Sequence, residues 1–152
     1  MGNSLMIANR ERMELGRRVL IAAPKVAETV EQFHRWAPEA AEAAQGAKFQ
    51  PTMKDGRLVA IEGALGRFEV VQEFRREENG LFARIVFVEP PTRLHKDPRE
   101  IYCIRIFEET AHFGSGPDPD HFDWDHGRNC WSPRNWLRIG YEIAAVVTEP
   151  RK

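Results

Sequence analysis

The sequence predicts an α+β domain in which helices pack against an antiparallel sheet. Two amphipathic segments, residues 24–45 and the segment from Pro133 to about Val147, lie towards opposite ends of the chain, and four strand-like segments separate them. Because the strands follow one another with short turns, an antiparallel meander is the expected topology. A long polar segment separates the fourth strand from the last helix, and it is the expected place for an active site.

The helices are predicted from apolar residues at helical spacing. In residues 24–45 one face carries Val26, Val30, Phe33 and Ala37, and in the last helix one face carries Trp136, Ile139, Ile143 and Val147. Pro24 is expected at the first helical position, and Pro38 is expected to kink or restart the helix. Residues 1–22 have poor apolar spacing, so they are expected to be an N-terminal extension of uncertain structure, containing a short helix. Residues 23–152 are expected to form the folded domain.

The four strands are predicted at residues 57–65, 67–76, 81–88 and 99–107. Asp55-Gly56 and Asn79-Gly80 are the turn signals. The third strand is almost entirely apolar, which predicts a central strand covered on both faces. Cys103 lies among apolar neighbours in the fourth strand, so an inert core thiol is expected. Residues 108–129 are expected to form a long irregular loop.

Composition excludes several classes of function. The 152 residues suit one domain, and 22 basic against 23 acidic residues give a formal net charge of -1. That balance provides no electrostatic reason to expect nucleic acid or a membrane as a partner. No apolar run in the sequence is long enough to span a bilayer, and no signal segment is expected. Two cysteines do not form a disulfide framework, so a cytoplasmic, reduced protein is expected.

The most informative stretch is residues 126–133, His-Gly-Arg-Asn-Cys-Trp-Ser-Pro. Ser132 followed by Pro133 is typical of a helix N-cap and a proline at the first helical position. Cys130 therefore lies in a polar loop just ahead of a helix. The positive end of that helix and the neighbouring His126 would favour the reactive thiolate. The alternative from these residues alone is a free, half-buried thiol beside tryptophan.

The order of these features resembles the ubiquitin-conjugating enzymes over roughly residues 24–148. A helix precedes a four-stranded meander, and residues 91–101 resemble the proline-rich segment between the third and fourth strands of that family. His121 lies nine residues before Cys130, close to the spacing between the family's His-Pro-Asn motif and its catalytic cysteine. Trp131-Ser132-Pro133 opens a helix after the cysteine, as the family's Trp-Ser-Pro does.

The chain also departs from the family pattern. His-Pro-Asn is missing, because His112 is followed by Phe-Gly and His121 by Phe-Asp. Trp131 follows Cys130 directly, where the eukaryotic members have several intervening residues, and one helix follows where they have more. In these respects the chain is more similar to bacterial relatives. Those relatives occur in ubiquitin-like conjugation operons, several of them linked to antiphage defence.

The resemblance implies that Cys130 accepts a ubiquitin-like protein from an activating enzyme as a thioester, and passes it to a lysine of an acceptor protein. The family's asparagine stabilises the oxyanion, and here either Asn129 or Asp123 is the candidate to replace it, unless this step differs. Asp123 or Asp125 is the candidate to orient or deprotonate the lysine. His121 would shape the loop by hydrogen bonds. No metal or cofactor is required. The exposed side of residues 25–35 is the expected surface for the activating enzyme.

Three alternatives remain open from the sequence. The first is a non-catalytic binding module of the same fold, which the missing His-Pro-Asn favours. The second is a metal site, although the spacing matches no standard zinc pattern; its potential ligands are His112, His121, Asp123, Asp125, His126 and Cys130. The third is a Cys-His hydrolase that pairs Cys130 with His112 or His121.

Overall fold

The computed structural model describes residues 2–44, 48–77, 80–114 and 131–149, which form an α+β fold. A long helix comes first, a curled six-stranded antiparallel sheet follows, and a shorter helix comes last. Every strand pairs with its neighbours in the chain, so the sheet order is β1-β2-β3-β4-β5-β6. The elements are α1 (Gly2–Ala43), β1 (Phe49–Lys54), β2 (Arg57–Gly63), β3 (Gly66–Glu77), β4 (Gly80–Glu89), β5 (Arg99–Ile106), β6 (Ala111–Phe113) and α2 (Pro133–Val147).

The predicted antiparallel meander is confirmed as β2 to β5, but the predicted number of four strands is wrong. β1 was not predicted because Pro51 interrupts it; as an edge strand it tolerates a residue without a backbone N–H. A bulge between Thr52 and Met53 also disrupts its alternation. β6 has only three residues and lies inside the predicted loop of residues 108–129. Pairing with β5, rather than local sequence, defines it.

The hairpin between β1 and β2 confirms one predicted turn. Asp55 and Gly56 have φ angles of 52° and 77°, and Lys54 pairs with Arg57 across the turn. Positive φ at both central residues is typical of the type I′ turn, whose twist matches that of the strands on either side. Asp tolerates this left-handed conformation better than most residues, and Gly adopts it without steric cost.

The helix α1 runs without a break through both of its prolines, so the predicted start at Pro24 is wrong. Residues 2–22 are helical and continuous with the rest of α1. A proline inside a helix deprives the carbonyl four residues earlier of its hydrogen bond. Here Pro24 and Leu20 both lie on the exposed surface of α1, where water can replace that bond. The helix also continues through Pro38 to Ala43.

The core lies between one face of the sheet and the two helices. All four residues of the predicted α1 stripe are buried, and so are Trp136, Ile139 and Ile143 of α2. The third predicted strand, now β4, is central as expected. Ala83, Ile85 and Phe87 of β4 belong to this core. Phe82 and Val86 alternate with them and are buried on the opposite face of the sheet.

Candidate functional site

The residues predicted to carry the chemistry, Cys130, Asn129, His121 and Asp123, lie outside the described residues, as do Asp125 and His126. The structure describes the chain on both sides of them, up to Gly114 and again from Trp131. The candidate site is therefore described from Phe113 and Trp131, which lie next to the two ends of this gap, and from the surface of α1 that they contact.

Trp131 is held against α1 by an aromatic cluster. Its ring centroid lies 6.2 Å from that of Phe33, 5.4 Å from that of Trp36 and 6.4 Å from that of Phe113. These separations and the tilted or edge-on ring orientations are favourable for aromatic pairs. In addition, Trp131 Nε1 donates a 3.1 Å hydrogen bond to Oε1 of Gln32 on α1. The chain therefore re-enters the described fold at a defined position on α1.

The start of α2 confirms the capping prediction. Ser132 is extended (φ -65°, ψ 138°), and its Oγ accepts a hydrogen bond of 3.3 Å from the backbone N–H of Arg134. Pro133 occupies the first helical position. The first turn of α2 contains no acidic residue. The positive potential of its unpaired backbone N–H groups is therefore not offset by a carboxylate within that turn.

On the other side of residues 115–130, the described chain ends just after β6, at Gly114. Gly114 donates its backbone N–H to the carbonyl of Cys103 at 3.1 Å, which extends the pairing with β5 by one residue. Its φ of 140° is a conformation that favours glycine. Phe113, directly before it, contacts Trp131. The described chain on either side of residues 115–130 thus converges beside α1.

His112 lies on the opposite face of the sheet from this convergence. Its neighbours in β6, Ala111 and Phe113, both belong to the core, so alternation directs His112 outwards. It pairs in register with Arg105, and its ring centroid lies 5.1 Å from that of Phe107. Within the described ranges, no three His, Cys, Asp or Glu side chains are grouped as a metal ion would require. The other ligands of the predicted metal alternative lie outside those ranges.

Cys103 is confirmed as a buried, free thiol, at 8% exposure. It pairs in register with Val86 on the sheet face that points away from the helices. Burial raises the pKa of the Cys103 thiol, and the nearby Arg84 guanidinium opposes that rise without reversing it. The thiol is therefore protonated at neutral pH and is a poor nucleophile.

A polar cleft beside α1 is a feature that sequence reasoning missed. It has a volume of about 260 Å³ and lies between α1 and the turn after β5, lined by Lys25, Glu28, Thr29, Gln32, Glu108 and Glu109. The Thr29 hydroxyl donates a hydrogen bond to the Glu108 carbonyl and fixes the turn to the helix. Gln32 both lines the cleft and binds Trp131, so the cleft adjoins the point where the chain re-enters the fold. Three carboxylates give it an acidic rim.

Comparison of the chain with protein-family models, with curated proteins and with solved structures gave no match. Among the described residues, no helix combines the length and the apolar character needed to cross a membrane. With 42 residues α1 has the length, but charged side chains recur along it, such as Arg10, Glu14, Arg18 and Glu28.

Proposed function

We propose that this chain carries a ubiquitin-like protein as a thioester on Cys130, from an ATP-dependent activating enzyme to an amine of an acceptor protein. In this proposal the domain is a shortened form of the ubiquitin-conjugating fold and works in a bacterial, cytoplasmic conjugation system linked to antiphage defence. The observation that carries it is the anchored Trp131 at the start of α2, directly after Cys130 in the sequence. That arrangement agrees with the Trp-Ser-Pro that opens a helix after the catalytic cysteine of the family.

The proposed reaction has two acyl transfers. In the first, the Cys130 sulfur forms a bond to the C-terminal carbonyl carbon of the ubiquitin-like protein, and the thioester bond to the activating enzyme breaks. The thiol proton of Cys130 passes to the departing thiolate. In the second, an acceptor lysine forms the amide bond, the Cys130 thioester breaks, and the proton lost by the amine restores the thiol. Covalent catalysis divides one difficult condensation into two easier steps.

The electrostatics of α2 support the first transfer. Cys130 precedes the Ser132 cap by two residues. The N–H groups of the first turn provide a positive potential that no acidic residue in that turn offsets. A thiolate close to a helix N-terminus has a lowered pKa and is more nucleophilic at neutral pH. Cys103 lacks these features, because it is buried in a strand and its pKa is raised.

The acidic cleft beside α1 supports the second transfer. An acceptor lysine arrives as an ammonium ion, and the carboxylates of Glu28, Glu108 and Glu109 would attract it to the surface next to Trp131. In the proposal Asp123 then orients and deprotonates the amine, and Asn129 donates to the oxyanion. His121 shapes the loop by hydrogen bonds.

The exposed face of α1 is the proposed surface for the activating enzyme. Lys25, Glu28, Glu31 and Arg35 are exposed along it, while the intervening Val26, Val30 and Phe33 are buried in the core. The face thus carries charges of both signs on a rigid helix, which suits the recognition of a complementary protein surface.

A charging assay tests this proposal. The chain is incubated with ATP and the activating enzyme and ubiquitin-like protein encoded beside it, and the products are separated with and without reducing agent. We expect an adduct that reducing agent removes, that is lost in Cys130→Ala and that persists in Cys103→Ala, the matched control. If the activating enzyme itself becomes charged but the chain does not, the carrier function is wrong. One equivalent of zinc per chain would then assign Cys130 to a metal site.

A further inference from the structure

The helix α1 carries a second apolar stripe on the side that faces solvent. Its core-facing stripe continues towards the N-terminus through residues that are half-buried, Leu15, Val19 and Ala22. On the outer side, Met13 and Leu20 are 77% and 76% exposed, and Ala27 follows at the same seven-residue interval. Gly16, which is exposed, and Ala23, which is half-buried, lie three residues after Met13 and Leu20. Apolar or small residues alternating at intervals of three and four are typical of a helix that pairs with another helix.

The described residues provide no packing reason for glycine at position 16. Glycine in a helix interior destabilises the helix by about 1 kcal/mol relative to alanine. A close approach by a neighbouring group would justify that cost, but a Cβ atom built on Gly16 meets nothing within 4 Å. The space above Gly16 is therefore open in the described chain, and it would admit a large side chain from outside.

We propose that the outer side of α1 is a homodimer interface, in which two copies of the helix pack antiparallel about a two-fold axis. In the register that seats each large residue on a small one, Leu20 packs onto Gly16 of the second copy. Met13 then packs onto Ala23 of the second copy. We refer to Met13, Gly16, Leu20, Ala23 and Ala27 as the outer seam. Because a two-fold interface is self-complementary, each of these contacts occurs twice.

Charge complementarity supports the antiparallel register. It brings Arg10 of one copy to within two residues of the position opposite Glu28 of the other. Arg10 and Glu28 are both exposed, and neither makes a salt bridge to another described residue of its own chain. Arg17 comes equally close to Arg17 of the second copy, but Glu14 of its own chain lies 2.7 Å from it and offsets that repulsion. Arg10 and Glu28 both lie on the same flank of the outer seam. In the antiparallel two-fold arrangement, that flank of one copy lies beside the same flank of the other copy. Long side chains of opposite charge on such flanks determine the orientation of paired helices.

Charges of both signs surround the outer seam, with Arg10, Arg12, Arg17, Arg18 and Lys25 against Glu11, Glu14 and Glu28. A second copy can pair with both signs, whereas an anionic lipid surface attracts only the basic residues. The proposed interface is independent of the thioester chemistry. Glu28 also belongs to the surface proposed for the activating enzyme, so the homodimer and that complex would exclude each other.

Sedimentation equilibrium of the full chain, at concentrations up to about 100 µM, tests the interface. We expect a species of twice the 17.5 kDa chain mass. Leu20→Glu should raise the dimer Kd at least about tenfold, because it buries a charge at the centre of the seam. The control is Leu94→Glu, because Leu94 is 88% exposed and lies outside α1; it should leave the dimer unchanged.

Two further variants separate the interface from helix stability and test its orientation. Gly16→Leu should raise the thermal stability of the monomeric helix but weaken the dimer, because it fills the space that Leu20 of the second copy needs. Arg10→Glu and Glu28→Arg should each weaken self-association. Mixed together they should form a heterodimer, since the two altered side chains then attract each other at one of the symmetry-related contacts and the two native side chains, Arg10 and Glu28, at the other.

A wild-type chain that remains monomeric at the highest concentration would overturn the proposal. So would a dimer that Leu20→Glu and Gly16→Leu leave intact, or charge-reversal variants that do not recover when mixed. Flotation with vesicles containing phosphatidylserine is measured in parallel. Binding of a monomeric chain to those vesicles, lost in Leu20→Glu, would assign the outer seam to a membrane surface instead.

Discussion

The indole Nε1 of Trp131 donates a hydrogen bond to Oε1 of Gln32, a residue 99 positions earlier in the chain. Together with the ring contacts to Phe33, Trp36 and Phe113, this bond fixes the end of the candidate active-site loop to the first helix. The amino end of α2 is thereby held beside an acidic cleft. The proposed thioester chemistry depends on this arrangement.

Replacing Trp131 should destabilise the fold, and two variants separate the contribution of its hydrogen bond from that of its ring contacts. Trp131→Phe retains an aromatic ring but loses the hydrogen bond to Gln32, and should cost about 0.5–1.5 kcal/mol. Trp131→Ala also loses three aromatic contacts, and should cost about 2–4 kcal/mol, since the side chain is only partly buried. Urea unfolding measures both. Equal effects of the two variants would show that the ring contacts contribute nothing.

Glu142 should make the protein less stable as the pH rises. Burial raises the pKa of Glu142 to about 7, although a hydrogen bond with Tyr102 and the charge of Arg138 partly oppose that shift. The folded state therefore holds a proton that the unfolded state releases at lower pH, and stability should fall between about pH 4.5 and pH 7. Glu142→Gln should flatten this dependence and raise the melting temperature at pH 8.

The matched control for Glu142 is Glu39→Gln, which alters an exposed carboxylate on α1. It should leave the pH dependence of thermal unfolding unchanged. A Glu142→Gln variant whose melting temperature varies with pH just as the wild type does would show that Glu142 is ionised in the folded protein at pH 6.

His34 should produce the opposite pH dependence at the acidic end. Its Nδ1 accepts a 2.9 Å hydrogen bond from the backbone N–H of Leu58, so the ring is neutral and its Nε2 donates to Gln72. Burial lowers the pKa of His34. As the pH falls, His34 is therefore protonated in the unfolded state before it is protonated in the folded state. The free energy of unfolding should decline as the pH falls below about 6.5.

Two substitutions separate the charge of His34 from its hydrogen bond. His34→Ala leaves the buried Leu58 N–H without an acceptor and should cost about 2–3 kcal/mol at pH 7. His34→Asn supplies an oxygen near the position of Nδ1 and does not titrate, so it should retain more stability and lose the acid sensitivity. Measurements in a Glu142→Gln background remove the competing effect. An unchanged acid limb in His34→Asn would assign that limb to other groups.

The two cysteines should differ sharply in reactivity. Cys103 is buried in β5 and its pKa is raised, so in Cys130→Ala the remaining thiol should react with a disulfide reagent at least about 100-fold more slowly than a free thiol. In Cys103→Ala the remaining Cys130 should react rapidly at neutral pH. Comparable slow rates for both variants would contradict an activated Cys130.

Local patterns predicted much of the fold. The stripe from Val26 to Ala37 and the Ser132-Pro133 cap involve residues a few positions apart, where helical geometry alone decides which side chains meet. The two edge strands were not predicted. Pro51 interrupts β1, and the three-residue β6 is defined by its pairing with β5, not by its own sequence. Continuity of α1 through Pro24 likewise depends on solvent reaching the freed carbonyl.

The candidate site was less predictable, because contacts between distant residues build it. Gln32 meets Trp131 across 99 positions, and Thr29 meets Glu108 across 79. Neither pair belongs to a local motif, so the sequence carried no sign of the anchor or of the acidic cleft. What the sequence did provide was the cysteine followed by Trp-Ser-Pro, whose helix-capping part the structure confirms.

The most direct test of thioester formation on Cys130 is the intact mass of the chain after reaction with ATP, its activating enzyme and its ubiquitin-like protein. We predict a product whose mass equals that of the chain plus the ubiquitin-like protein less one water, with the modification mapped to the peptide that contains Cys130. The product should be released by thiols and absent from Cys130→Ala. An unmodified chain beside a fully charged activating enzyme, or an adduct on Cys103, would contradict thioester transfer through Cys130.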